Sequence, residues 1–327
     1  MRFGLFIPQG WRLDLVGIEP SRQWATMNAL AQHADAGEWE SIWVYDHFHT
    51  VPEPTTEATH EAWTLMAAFA AATSRVRLGQ MCTCMAYRNP AYLAKVAATV
   101  DVISGGRVEM GIGAGWYEHE WLAYGYGFPT AGKRIAALDE GVQIMKQAWE
   151  TGEATLDGEY YQVSGARVYP QPLQDGGIPF WIAGGGERKT LRIAAQYAQY
   201  TNFAGAPEDF AHKSSVLEGH CHDLGRDFGA ITRSANYNVV IGATRAEVDD
   251  RLAWFEDHVA RVVPERAADR TADLRNGPLV GTPEEIVATL TELKALGMTY
   301  AITYFAEAAY DRTGIELFER EVIPALR

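Results

Sequence analysis

Eight short, apolar, β-rich runs recur along the chain, each followed by a longer or more polar stretch. That alternation limits the fold more than any single motif does. The runs are Phe3 to Ile7, Ser41 to Tyr45, Val76 to Cys82, Val108 to Ile112, Phe180 to Ala183, Tyr200 to Phe203, Ala235 to Ile241 and Tyr300 to Tyr304. Helix-like periodicity fills Trp24 to Ala36, Glu61 to Thr73, Ala91 to Ile103, Arg134 to Trp149, Lys189 to Ala198, Ala246 to Val259 and Pro283 to Leu296. Strands alternating with helices in this way make a parallel sheet with crossover helices. Eight units favour closure into an α/β fold, a (β/α)8 TIM barrel, expected to span residues 1–327 as a single domain. The alternative, an open doubly wound sheet, should carry its nucleotide fingerprint after the first strand, where the chain reads Pro8-Gln9-Gly10-Trp11.

Three segments exceed what a connection needs: Trp116 to Lys133, long and aromatic; Gly152 to Gly177, with the character of a hairpin; and Val262 to Leu279. Insertions after the fourth and seventh strands would overhang the face where barrel strands end and sites are built. Thr282-Pro283-Glu284-Glu285 marks a helix start, with a capping Thr, Pro in the first turn and Glu three residues after the cap.

Charge and cysteine content narrow the partners. With 42 acidic against 28 basic residues the formal charge is -14, which repels phosphate backbones and anionic membranes, so a small-molecule partner is expected, with no nucleic acid and no membrane. Cys82, Cys84 and Cys221 form no disulfide framework, and Met1 to Gly10 shows no signal-peptide pattern. Both point to the cytoplasm.

The first chemical candidate is Tyr45-Asp46-His47-Phe48-His49, where an apolar strand ends in titratable side chains. An imidazole suits proton transfer, and the neighbouring Asp46 can accept a cofactor N–H. The plainer reading is a loop-capping Asp beside an exposed His. His47 and His49 also raise a metal pair, but strands five to eight end in no His, and no metal site is expected. The third run ends Gly79-Gln80-Met81-Cys82-Thr83-Cys84, small and soft enough for a planar ring to lie against, although ordinary core packing explains it equally well. Gly111, Gly113 and Gly115 permit close backbone approach before Trp116, which can wall a flat ligand. After strand five, Gly184-Gly185-Gly186-Glu187-Arg188-Lys189-Thr190 exposes backbone amides at a helix start with two cations beside it, a natural seat for phosphate.

Trp43 to Phe48, Leu78 to Pro90, Ile103 to Trp116, Ile182 to Arg188 and Gly281 to Glu285, in this order, resemble the bacterial-luciferase-like superfamily, especially its branch using the deazaflavin coenzyme F-420. The resemblance covers essentially the whole chain. It implies that Asp46 and His47 contact an isoalloxazine-like ring, with His47 the catalytic proton donor or stabiliser of an intermediate. It also implies a non-prolyl cis peptide between Met81 and Cys82. By the same match, cofactor contacts fall to Met81, Cys82, Thr83, Gly115 and Trp116, and phosphate contacts to Gly184, Gly185, Gly186, Glu187, Arg188 and Thr190.

A homodimer and a separate cofactor-reducing enzyme follow from the same likeness. Superfamily members that hold flavin mononucleotide (FMN) for oxygen chemistry often carry Arg where this chain has Ala114, which tilts the expectation towards coenzyme F-420. Trp116 replaces the acidic residue of the sugar-phosphate dehydrogenases in the deazaflavin branch, which leaves the substrate open. The resulting expectation is an oxidoreductase that moves hydride between coenzyme F-420 and a small organic molecule. The alternatives are an FMN-dependent two-component monooxygenase and a non-catalytic flavin-binding protein.

Overall fold

The structure is a computed structural model that describes residues 1–203 and 205–327. In chain order, the first elements are β1 (Arg2–Phe6), α1 (Pro20–Ala36), β2 (Ser41–Val44), α2 (Ala62–Ala72), β3 (Arg77–Gln80), β4 (Thr83–Cys84), α3 (Pro90–Ser104) and β5 (Val108–Gly113). There follow α4 (Glu118–Ala123), α5 (Ala131–Thr151), β6 (Glu153–Asp157), β7 (Gln162–Arg167), β8 (Phe180–Ala183), α6 (Thr190–Tyr197), β9 (Tyr200–Asn202) and α7 (Pro207–Leu224). The last are β10 (Thr232–Ile241), α8 (Arg245–Ala260), α9 (Pro264–Arg275), β11 (Leu279–Gly281), α10 (Pro283–Ala295), β12 (Met298–Tyr304), α11 (Thr313–Leu317) and α12 (Ile323–Leu326). All eight expected strands are present, and the chain has the (β/α)8-barrel fold that its alternation predicts. No helix among the described residues is long and apolar enough to cross a membrane.

Contacts group the chain into two compact units. The first comprises Met1–His60, Phe203–His212 and Thr232–Arg327. Within it β1 lies parallel between β2 and β12, β12 pairs with β10, and β10 with the short β11. β2 is buried at every position, which is why its sequence reads as a continuous apolar run rather than an alternating one. Phe3 of β1 meets Phe318 edge-on at 5.4 Å, and Trp39 stacks on the same ring at 5.8 Å. Burying a side chain of this size contributes about 1.5–3 kcal/mol. Glu319 ties the cluster down by accepting from Trp39 Nε1 and bonding His33 Nε2 at 2.9 Å. The segment Val262 to Leu279, expected as an insertion, forms α9 and reaches the start of β11. Pro264 lies in the first turn of α9, and Ala267, Thr271 and Leu274 form its buried stripe.

The second unit comprises Glu61–Asn202 and Lys213–Ile231. Here β5 pairs in parallel with β3, β4 and β8, and β8 pairs with β9. The run Val76 to Cys82, expected as one strand, is interrupted: β3 stops at Gln80, the Met81–Cys82 peptide is cis, and pairing resumes at Thr83 opposite Ile112. Gly152 to Gly177 contains the antiparallel hairpin β6–β7. The aromatic segment after β5 holds α4, with Glu120 and Trp121 buried.

At the start of β5, the buried Arg107 donates to the carbonyls of Ser104, Val76, Ala70 and Thr73 and to Thr73 Oγ1, all at 2.6–3.0 Å. One side chain thereby satisfies carbonyls near the ends of both α2 and α3, which would otherwise be costly to bury.

Candidate active site

In the first unit, β2 delivers Tyr45 and Asp46 buried and His47 half-buried. A residue the sequence reading did not single out fixes this exit. Gln9, buried after β1, accepts from the Tyr45 amide at 2.6 Å and donates through Nε2 to the Tyr45 and His60 carbonyls at 2.7 and 2.8 Å. The His47 ring lies flat on Trp11, with centroids 4.1 Å apart and planes 2° from parallel. The imidazole is therefore held in one plane by an aromatic neighbour from the preceding strand end.

The same turn carries Arg12 and Asp14, also missed. The Gly10 amide donates to Asp14 Oδ1 at 2.6 Å and Tyr304 OH to Oδ2 at 3.1 Å. Arg12 lies over the Tyr304 ring, 4.1 Å from its centroid, and donates to Asn238 Oδ1 at 2.7 Å. Burial pushes the Asp14 carboxyl above its ordinary value and the Tyr45 phenol up to about 12. The available signal was positional, because polar and charged residues just past the end of a barrel strand belong to the functional face.

In the second unit, Met81 and Thr83 are buried and Cys82 is half-buried; Thr83 Oγ1 donates to Gln80 Oε1 at 2.9 Å. Gly111 and Gly113 of β5 and Gly115 just past it do allow close approach, and the partner is the chain itself. A Cβ on Gly111 would lie 1.9 Å from the Gln80 carbonyl oxygen, one on Gly113 2.7 Å from Cys82 Sγ, and one on Gly115 2.6 Å from Cys84 Sγ. The strand exit is held by Arg134, which donates to the Gly115 carbonyl at 3.2 Å and stacks 4.0 Å from the Phe128 centroid. Trp116 is 61% exposed and stacks on Tyr117.

The turn after β8 joins the glycines Gly184 to Gly186 to the start of α6. Gly184 has φ +114°, a conformation that favours glycine, and its amide is tied to the Asn202 carbonyl at 2.8 Å. Among the described residues, the amides of Gly185, Gly186 and Arg188 have no acceptor. Helix α6 begins at the buried Thr190 with no side-chain cap. Arg188, Lys189 and Arg192 line an adjoining cavity of about 230 Å³ together with Asp139. Glu187 pairs its carboxylate with Lys213 Nζ at 2.6 Å, and its carbonyl is bonded to His220 Nε2 at 2.6 Å. Open amides, a helix start and three cations fit a phosphate. Among the described residues, no three His, Cys, Asp or Glu side chains group as metal ligands.

The chain is similar to several characterised proteins. It is 29% identical over 293 residues to pyrimidine monooxygenase RutA from Stutzerimonas stutzeri (strain A1501), covering 82% of this chain and 79% of that one. It is 27% identical to the F-420-dependent glucose-6-phosphate dehydrogenase of Mycobacterium leprae (strain Br4923), over 91% of this chain and 93% of that one. A solved structure of an F-420-dependent secondary alcohol dehydrogenase in complex with an F-420–acetone adduct superposes over 100% of this chain and 99% of its own, with a TM-score of 0.80 and 22% identity. The family model described as luciferase-like monooxygenase matches residues 1–300, and the chain therefore belongs to the luciferase-like monooxygenase family of oxidoreductases and monooxygenases.

Proposed function

We propose that this chain is an oxidoreductase that binds the deazaflavin coenzyme F-420, moves hydride to or from a small organic substrate, and uses His47 as its proton donor. The observation that carries the reading is the Gly184-Gly185-Gly186 turn, whose open amides and uncapped helix start suit a cofactor phosphate. When bound, the deazaflavin supplies two-electron hydride chemistry at its C5 carbon. The chain's own task is positioning. Gly185, Gly186, Arg188 and Thr190 hold the phosphate, Met81 to Thr83 face the ring, and Asp46 accepts a ring N–H. His47, kept flat by Trp11, gives or takes the proton that accompanies hydride movement. The aromatic stretch from Trp116 to Phe128 excludes water, and the chain works as a homodimer served by a separate enzyme that renews the cofactor.

Ala114 favours the deazaflavin, because FMN-holding members of the superfamily often place Arg there. A second reading, an FMN-dependent monooxygenase, is favoured by the similarity to pyrimidine monooxygenase RutA, which extends over most of both chains. Titrating the apoprotein separately with coenzyme F-420 and with FMN, followed by tryptophan fluorescence, decides between them. Tighter binding of F-420 is expected, and retention of FMN with none of the deazaflavin would reverse the choice.

A further inference from the structure

We infer that the substrate carries an oxyanion, a carboxylate or a phosphate, recognised by Arg12 with Arg270 of α9 as a second cation. Calling the ligand a substrate rests on the proposed reading; the anion site itself lies wholly within the first unit. Arg12 is half-buried just past the end of β1, above Tyr304 at the end of β12 and bonded to Asn238 of β10, which is in register with Tyr304. It is therefore a fixed cation over the C-terminal ends of three adjacent strands, where barrels bind their substrates.

Among the described residues it has no direct ion-pair partner. Among the described residues, no carboxylate lies within ion-pair distance of Arg12, and Nη1 has only Asn238 Oδ1 and, at 3.5 Å, the Tyr45 hydroxyl. Nε and Nη2 have no acceptor among the described residues. Asp14, two residues on, is committed to the Gly10 amide and the Tyr304 hydroxyl.

Arg270 adds a second positive charge: burial first, then the nearness of Arg12, lowers its pKa, and its own partner Asp273 is 3.9 Å away and largely exposed. A guanidinium edge with free donors matches the paired oxygens of a carboxylate or phosphate.

The backbone also holds Arg12 in place. Leu13 beside it has φ +64° and is buried, closing a turn from the Gly10 carbonyl to its own amide at 2.9 Å. A bulky residue in the left-handed region is strained and persists there only where the surroundings impose it. The turn connects this cation to the reaction centre through one ring, since Trp11 packs on Tyr45 at 4.3 Å and on His47 at 4.1 Å.

The test titrates wild type, Arg12→Gln and Arg270→Gln with benzoate, phenyl phosphate and neutral benzamide, reading tryptophan fluorescence, with a parallel coenzyme F-420 titration. In wild type at least one of the two anions should bind about tenfold or more tighter than benzamide, and which of them does so identifies the group. Arg12→Gln should abolish the preference and Arg270→Gln should reduce it, with F-420 binding unchanged in both. Equal binding of benzamide and both anions to wild type overturns the inference, as does a preference that survives both substitutions. Should Arg12→Gln fail to fold, the wild-type comparison and the half-buried Arg270→Gln still decide. Anion preference without F-420 binding would sink the cofactor reading and leave the anion site standing; F-420 binding without anion preference would do the reverse.

Discussion

Replacing Gly184 by Ala separates a phosphate seat from an ordinary strand-to-helix turn. Gly184 has φ +114°, and a side chain there costs about 1–3 kcal/mol. Gly184 and Gly186 are exposed and α6 is uncapped, so the free turn can relax to relieve that strain with little loss of stability, a fall in Tm of no more than a few degrees. Binding must then restore the strained geometry that aligns the amides of Gly185 and Gly186. The penalty should appear in affinity, raising the cofactor Kd about 5- to 150-fold. The assay is a fluorescence titration of wild type and Gly184→Ala with the phosphorylated deazaflavin and with its dephosphorylated analogue. Wild type should prefer the phosphorylated form, and the variant should lose most of that preference while binding the analogue normally. An unchanged preference for the phosphorylated form in the variant would refute the assignment of the phosphate to this turn.

Other substitutions probe the remaining parts. His47→Ala should leave cofactor affinity near wild type and lower turnover about 10²- to 10⁴-fold; unchanged turnover in steady-state assays would defeat the proton-donor role. Arg107→Met leaves four buried carbonyls without their donor and should cost about 3–5 kcal/mol, read from the urea midpoint, whereas a loss below about 1 kcal/mol would mean those carbonyls find other partners. The hydrogen bond that His33 Nε2 donates to the Glu319 carboxylate raises the His33 pKa above its ordinary value against the effect of burial, so the folded state binds this proton more tightly than the unfolded chain does. That stabilisation is complete below about pH 6.5 and is lost as pH rises through the raised value. The Tm gap between wild type and His33→Asn should accordingly be wider at about pH 5.5 than at about pH 9, and a gap independent of pH would contradict it.

The strands were legible because parallel strands buried on both faces write themselves as short apolar runs, as Ser41 to Val44 does at four buried positions. Helix α9 was not, since its buried stripe is only Ala267, Thr271 and Leu274 among charged residues, too thin for apolar periodicity to register. The glycines of β5 announced a close approach, but only strand pairing reveals that Gln80, Cys82 and Cys84 make it. Asp46, His47 and the Gly184 to Gly186 turn could be read because each is contiguous and sits at a strand end. The Arg12 cluster could not, because Arg12, Asp14, Tyr45, Asn238 and Tyr304 come from four separate strand ends that meet only in the folded chain.

The central claim, a luciferase-like oxidoreductase working with a deazaflavin, is tested most directly by the absorbance spectrum of the protein purified from a host that makes both coenzyme F-420 and FMN. The deazaflavin spectrum, at close to one cofactor per chain, is the expected result. A flavin spectrum from bound FMN, with no deazaflavin retained, would contradict it.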